Sequence, residues 1–419
     1  MRMSKDRLLS MASPAKYIKP ASRVAASGVD VWSLVNGAAA ELSSPPVNLG
    51  QGFMDFAPEK YLIDEAKRAL DGVSTNHYSP TRGRPRLLKA IAQAYSPFFQ
   101  RQLDPTTEVV VTAGANEGMF SAFGAFLEPE DEVIIFEPFF DQYIDPPRYF
   151  GAKVVYVPIH PPKTGNSETL SSSEWKLDID ELRSKVTSRT KMMVLNSPWN
   201  PVGKVFSRDE LLEIGRVAVE HQIVILSDEV YDSLYYVPFT RIATLSPELS
   251  RLTLTVGSGG KVFNATGWRV GWLIGEPEMI KHVAAAHTRV TFSVNSPMQE
   301  AIAAGFEQAE GQTYFARTVS DYKKRMQILT KVFDDINLPY TLPEGGYFLL
   351  VNFSKVQVPA DYPVPETWTK GRAKDFRVVY WLLKEFGVVA IPPTEFYTKQ
   401  HAHIGQDYLV SENSLARLT

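Results

Sequence analysis

The sequence predicts an α/β fold: a large domain built on a mostly parallel sheet with flanking helices, and a smaller α+β domain. Three observations lead to it. Four short, continuously apolar stretches recur: DEVIIFEPFF from Asp131, AKVVYVPI from Ala152, TKMMVLNSPWNP from Thr190 and QIVILSDEVYD from Gln222. Strands covered by helices on both faces of a parallel sheet have this composition. Between the last two lies SRDELLEIGRVAVEH, where Ser207 and Glu210 form a capping box ahead of an amphipathic helix. Beyond them, an amphipathic stretch from about Gly305 to Ile336 changes the texture of the chain, and EGGYFLLVNFS from Glu344 and FGVVAIPPTEFY from Phe386 would supply strands of the smaller domain.

In chain order, residues 1–30 form an N-terminal segment whose first 28 residues carry Arg2, Lys5, Arg7, Lys16, Lys19 and Arg23 against Asp6 alone. They read either as a mobile arm on a cytoplasmic protein or as a presequence that would send it to the mitochondrion. Residues 31–47 contain a short amphipathic helix, Val31 to Ala40, which carries Trp32 and would join the small domain. Residues 48–300 form the expected large domain. It opens on VNLGQGFMDFAP, whose Gly50 and Gly52 mark a loop, followed by NHYSPTRGRPRL, which begins a helix after Pro85. The β-branched run from Thr107 to Thr112 feeds AGANEGMFSAFGAF, giving strand, glycine turn and helix. PPKTGNSETLSSS, from Pro161 to Ser173, reads as a polar surface loop without chemistry. Residues 301–419 form the small domain.

With 419 residues the chain has ample core for two or three domains, and its 44% hydrophobic and 22% charged residues are ordinary for a globular protein. There is no run of eighteen apolar residues to span a membrane. A net charge of −3 offers no general attraction for nucleic acid or acidic lipid, so small molecules are the expected partners. The chain has no cysteine, which excludes disulfides, thiolate metal sites and a cysteine nucleophile, and no metal is expected.

The strand ends collect the reactive side chains, as ligand sites in such sheets do. Lys261, in TVGSGGKVFNATGWRVGW, sits behind a Ser-Gly-Gly turn where backbone can approach a ligand closely. Desolvated beside a cation, its amine would be nucleophilic, so Lys261 is read as the carrier of an aldehyde cofactor. One lysine alone is ordinarily a solvated surface residue; its weight here comes from its company. Asp228 ends an apolar strand in SDEVYD and needs a cationic partner such as a protonated pyridine nitrogen, with helix capping the equally simple alternative. Tyr231 could donate to a phenolate oxygen on the same ring, and Asn200 in NSPWNPVGKVF could share it, although Asn-Pro by itself is a common turn. TAGANEG opens a helix at Gly114, and the N–H groups of Ala115 and Asn116, with the Ser258 hydroxyl and the Arg269 charge, would cup a phosphate. Phe140 in EPFFDQY offers a flat face for ring stacking, or else packs in a core.

Taken together and in this order, the motifs resemble the fold-type I pyridoxal-phosphate aminotransferases, most closely the kynurenine aminotransferase, glutamine transaminase and cysteine-conjugate β-lyase group. NLGQGF, YSPTRGRPRL, TAGANEG, EPFFDQY, NSPWNPVGKVF, SDEVYD, GSGGKVFNATGWRVGW, EGGYF and AIPPTEFY carry the likeness, from about Val31 to Tyr397. The resemblance implies an aspartate aminotransferase-like fold, pyridoxal 5'-phosphate as cofactor, and amino-acid and 2-oxo-acid substrates in a homodimer with shared active sites. It implies that Lys261 holds the cofactor aldehyde, that Asp228 faces the pyridine nitrogen, and that Asn200 and Tyr231 bind the phenolate oxygen. Phe140 would stack on the ring. Gly114, Ala115, Asn116, Ser258 and Arg269 would hold the phosphate, with Tyr78 reaching it from the partner subunit. Trp32, Gly52 and Asn200 would line the substrate pocket, closed by the partner loop around Val294 and Asn295. The implied reaction is transamination of kynurenine or a related large amino acid with a 2-oxo acid; β-elimination from cysteine conjugates is the alternative within the same scaffold.

The likeness breaks after AIPPTEFY. There the family runs into an Arg-Phe strand whose arginine clamps the substrate α-carboxylate, whereas this chain continues HAHIGQDYLVSENSLARLT. No Arg-Phe pair follows Leu409, the small domain reads as truncated, and Arg417 stands in a different context. Loss of a bidentate carboxylate contact costs roughly 3 kcal/mol, so a cofactor-binding but weakly active form is a further alternative. Val410-Ser411 can be encoded by GTAAGT, a splice-donor sequence, which would make the tail from Val410 translated intron.

Overall fold

A computed structural model describes residues 18–24, 30–50, 52, 54, 56–309, 311 and 313–412. Most of the segment read as arm or presequence lies outside them. Fourteen strands are present among the described residues: β1 (Val47–Asn48), β2 (Val109–Thr112), β3 (Glu132–Glu137), β4 (Lys153–His160), β5 (Leu170–Ser171), β6 (Lys176–Leu177), β7 (Thr190–Asn196), β8 (Val224–Asp228), β9 (Thr253–Ser258), β10 (Gly271–Ile274), β11 (Tyr340–Leu342), β12 (Phe348–Asn352), β13 (Val388–Val389) and β14 (Tyr408–Glu412).

Eight of them form one sheet in the order β2-β10-β9-β8-β7-β3-β4-β6. From β9 to β4 every neighbouring pair is parallel, while β10 runs antiparallel to both β2 and β9, and β6 antiparallel to β4. The continuous apolar runs have a direct cause. In β3, Ile134 and Phe136 enter one core together with Ile214, Val217 and Ala218 of the helix Arg208–His221, whereas Val133 and Ile135 enter another with Met119, Phe123, Ile280 and Val283 of the helices Ala115–Phe126 and Pro277–Val290. Alternate side chains point to opposite faces of a strand, so both sets must be apolar when helices cover both faces. The Ser207–Glu210 capping box forms as read.

A second sheet has the order β14-β12-β11-β5. It shows where the sequence reading fell short. The polar stretch Pro161 to Ser173 is more than a surface loop: its Leu170–Ser171 pairs in parallel with Thr341–Leu342, and Asn166 accepts a 2.8 Å hydrogen bond from Asn352 Nδ2. FGVVAIPPTEFY does not join this sheet through a full strand. Val388 and Val389 pair instead with Val47 and Asn48 as a two-stranded ribbon, and a single bridge from Ile391 to Val410 links the ribbon back. Pairing over two residues is decided by what the folded chain brings alongside, not by local propensity. Among the described residues, no helix is long and apolar enough to cross a membrane.

Candidate active site

The carboxyl ends of β3, β7, β8 and β9 deliver Phe140, Asn200, Tyr231 and Lys261, respectively, within four residues of each strand's end. They converge on a cavity of about 300 Å³. Trp32, Gly52, Ala115, Asn116, Phe140, Asn200, Asp228, Tyr231, Ser258, Lys261 and Arg269 all line it.

Lys261 stands on a single helical turn, Gly259–Val262, directly after β9. A Cβ on Gly260 would lie 2.8 Å from the Cα of Thr266, so only glycine lets this turn tuck against the following loop. The lysine Nζ donates to the carbonyl of Gly52 and to the hydroxyl of Tyr347, both at 2.6 Å.

Asp228 is the last residue of β8 and is 4% exposed. Burial pushes its carboxyl up to about 6, against the pull of the Tyr143 hydroxyl, the Val230 N–H and the Lys261 charge. Tyr143 donates to Oδ2 at 2.5 Å, and Val230 N–H to Oδ1 at 3.3 Å. An acid held this way is short of a cation, and a protonated ring nitrogen in the cavity would supply one. Asn196 braces the neighbouring strand end: its Nδ2 donates to the Asp228 carbonyl at 2.8 Å, and its Oδ1 accepts the Asn200 N–H at 2.7 Å. Tyr231 is buried, its ring edge-on to Tyr347 at 5.3 Å.

At the other end of the cavity the turn before the helix Ala115–Phe126 meets Arg269. Gly114 has φ +86°, and a Cβ there would lie 2.4 Å from Nη2 of Arg269, so the guanidinium sits directly over the turn. Gly114 is thus the seat of Arg269 rather than a lining residue. The first N–H groups of the helix have no intrahelical acceptor, and with Arg269 and Ser258 they form an anion-binding corner. Glu117 fixes the turn from behind by accepting the Ala113 N–H at 2.9 Å and bonding His287 Nδ1.

Phe140 presents its ring to the cavity and is held edge-on by Tyr143 at 5.5 Å. Trp32 forms another wall, and its Nε1 donates to Asp141 at 3.3 Å. These residues suit a phosphorylated pyridine aldehyde: an amine, a buried acid, a flanking aromatic and an anion corner all line one cavity.

Tyr78 does not line this cavity. It is 83% exposed and stands edge-on to Phe292 at 5.3 Å. Val294 and Asn295 also lie outside the lining, and Ser296 ties their loop to the Tyr78 segment by donating to His77 O at 2.7 Å.

The sequence reading missed several residues that line the cavity or touch Lys261. Tyr143 lies inside the quoted EPFFDQY, and a polar side chain three residues from Phe140 was its only signal. Tyr347 lies inside EGGYF and touches Lys261 through chain closure that no local pattern reveals. The far wall consists of Phe348, Ile391, Phe396 and Val410. Val410, on β14 opposite Leu350, is 2% exposed and apolar. Among the described lining residues the cations are Lys261 and Arg269. Arg417 lies outside the described residues.

Known proteins share this sequence pattern and fold. The family model for aminotransferases of class I and II matches residues 44–406. A curated Saccharomyces cerevisiae relative named "Probable kynurenine--oxoglutarate transaminase" is 49% identical over 389 residues, covering 91% of this chain and 87% of the relative. The Homo sapiens kynurenine--oxoglutarate transaminase 1 is 38% identical over 366 residues, 85% of each chain. Among solved structures, that of Bna3p from Saccharomyces cerevisiae superimposes with a TM-score of 0.90 at 45% identity, covering 99% of this chain and 95% of the other. YbdL of Escherichia coli, which has a methionine aminotransferase function, gives a TM-score of 0.83 at 26% identity over 95% of this chain and 96% of its own.

Proposed function

The chain belongs to the class I and II aminotransferases, and we propose that it moves the amino group of kynurenine or a comparably large amino acid to a 2-oxo acid, using pyridoxal 5'-phosphate. The observation that carries this reading is Lys261 Nζ, held at the carboxyl ends of the strands in one cavity with the buried carboxyl of Asp228. Bound there, the cofactor supplies an aldehyde carbon that accepts the amino group and a ring that takes up the electron pair from the substrate Cα–H bond. The remaining steps belong to the chain's own side chains.

Asp228 keeps a proton on the ring nitrogen by staying ionised opposite it, and Tyr143 favours that ionised form by donating to Oδ2. Tyr231 and Asn200 would donate to the phenolic oxygen, and Phe140 would stack on the ring. Arg269, seated on Gly114, joins the Ser258 hydroxyl and the Ala115 and Asn116 N–H groups at the phosphate. Lys261, once released, would take the proton from the substrate Cα and return it to the cofactor carbon. Trp32, Phe348 and Phe396 give the substrate side an aromatic wall suited to a large side chain, in keeping with the relatives named for kynurenine. Tyr78, exposed and tied to the Phe292–Ser296 loop, would complete the phosphate corner of the second subunit in a homodimer.

Rapid mixing of the cofactor-loaded protein with kynurenine tests the reading. Loss of the visible cofactor band, with one equivalent of oxo acid formed, is the expected result. No spectral change with kynurenine or with other large amino acids would reject it.

A further inference from the structure

The EGGYF motif brings one side chain to the reactive centre that the reading above does not use. Tyr347 is 1% exposed, with its ring stacked on Tyr322 at 5.8 Å and edge-on to Tyr231 at 5.3 Å. The residues before it are fastened to the segment that follows Tyr231: Gly346 N–H donates to Leu234 O at 2.8 Å, and Tyr236 N–H to Glu344 O at 2.7 Å. The hydroxyl therefore has a fixed place. It accepts a hydrogen bond from Lys261 Nζ at 2.6 Å and donates one to Gly52 O at 3.0 Å, while Lys261 Nζ donates to the same carbonyl at 2.6 Å. The three atoms close a triangle in which the bond to Gly52 polarises the Tyr347 oxygen as an acceptor.

Resting on the assignment of Lys261 as the cofactor lysine, we propose that Tyr347 is a positioning residue: its hydroxyl and the Gly52 carbonyl accept hydrogen bonds from the Lys261 amine and so aim it at the substrate Cα. The protons balance. Neutral Nζ donates two hydrogens, one each to Gly52 O and Tyr347 Oη, and its lone pair takes the hydrogen from Cα, whose bonding electrons pass to the cofactor ring. The resulting ammonium gives up that third hydrogen to the cofactor carbon, and Tyr347 keeps its own proton throughout. A lysine side chain left to itself explores many rotamers, and holding it in advance removes that search from the proton-transfer step.

The test is Tyr347→Phe in the full-length, cofactor-loaded protein, where the ring packing is kept and only the hydroxyl is lost. We expect cofactor content and melting temperature to be retained, with the half-reaction rate constant falling about 10- to 100-fold and the apparent amino-acid affinity changing less than about threefold. The isotope effect with Cα-deuterated substrate should rise. A second readout needs no turnover: the rate at which the cofactor-free protein captures pyridoxal 5'-phosphate, followed against pH. Its rising limb should move to lower pH in Tyr347→Phe, because the ammonium form has lost an acceptor. An unchanged rate, isotope effect and capture limb would overturn the assignment of Tyr347. Lys261→Ala separates this from the assignment it rests on: if that variant keeps the visible band, the lysine reading itself fails; if it loses the band while Tyr347→Phe behaves as wild type, only the Tyr347 inference fails.

Discussion

Replacing Tyr143 with phenylalanine removes the hydroxyl that donates to Asp228 Oδ2 at 2.5 Å and leaves the ring in place beside Phe140. Both partners are buried, so water cannot take over the bond. A hydrogen bond to a charged group in such a place is worth roughly 1.5–3 kcal/mol, or about one to two units at 1.36 kcal/mol per unit. The sign follows from the direction of the shift. In the cofactor-free protein burial already lifts Asp228 from 3.8 to about 6, so the folded state holds this proton more tightly than the unfolded chain does. Stability from that proton is fully present below about pH 4 and is lost as the pH rises through about 6, a change of roughly 3 kcal/mol. A cationic ring nitrogen opposite Asp228 reverses the preference, so the stability gap between cofactor-loaded and cofactor-free protein should widen from pH 4 to 7. In Tyr143→Phe the fall in cofactor-free stability should extend to higher pH, and the acid limb of kcat/KM should move up by about one unit. Thermal melts across pH with and without cofactor, together with a pH–rate profile, measure both. An unmoved acid limb and an unmoved stability gap would refute the role given to the Asp228–Tyr143 pair.

Other perturbations act at either end of the cavity. Arg269→Ala should weaken pyridoxal 5'-phosphate binding about 10- to 100-fold while leaving pyridoxal, which lacks the phosphate, nearly unaffected; equal losses for both ligands would mean that Arg269 only supports the fold. Val410→Arg places a guanidinium on the apolar wall formed with Phe348, Ile391 and Phe396. It should raise kcat/KM for amino acids by about 100-fold, or roughly 3 kcal/mol, and tighten binding of an unreactive carboxylate such as 3-phenylpropanoate, as read by calorimetry. No gain in either would show that the carboxylate is held elsewhere.

The central sheet was legible because burial on both faces leaves a plain mark: Val133, Ile134, Ile135 and Phe136 are all apolar, since neighbours in the strand enter different cores. Lys261, Asp228 and Asn200 were legible for a related reason. Each stands at or just beyond the carboxyl end of such a strand, where a polar residue in an apolar context is conspicuous. What stayed hidden depends on chain closure. Tyr347 reaches Lys261 because the segment before it docks on residues 234–236, and Val410 faces the cavity because β14 pairs with β12. The two-residue strands β5 and β13 carry too little pattern for any reading, and their partners are chosen by the tertiary fold. The end of the chain was read as a departure from the family, with a tail of translated intron from Val410. In the fold, Leu409 and Val410 lie in a paired strand, with Val410 set into the cavity wall.

Lys261 is the residue expected to hold the cofactor. Borohydride reduction of the cofactor-loaded protein, followed by peptide mass analysis, reads this directly. The pyridoxyl phosphate adduct is expected on the peptide containing Lys261, with adduct and visible band both absent from Lys261→Ala. An adduct on a different lysine, or a band that survives in Lys261→Ala, would contradict it.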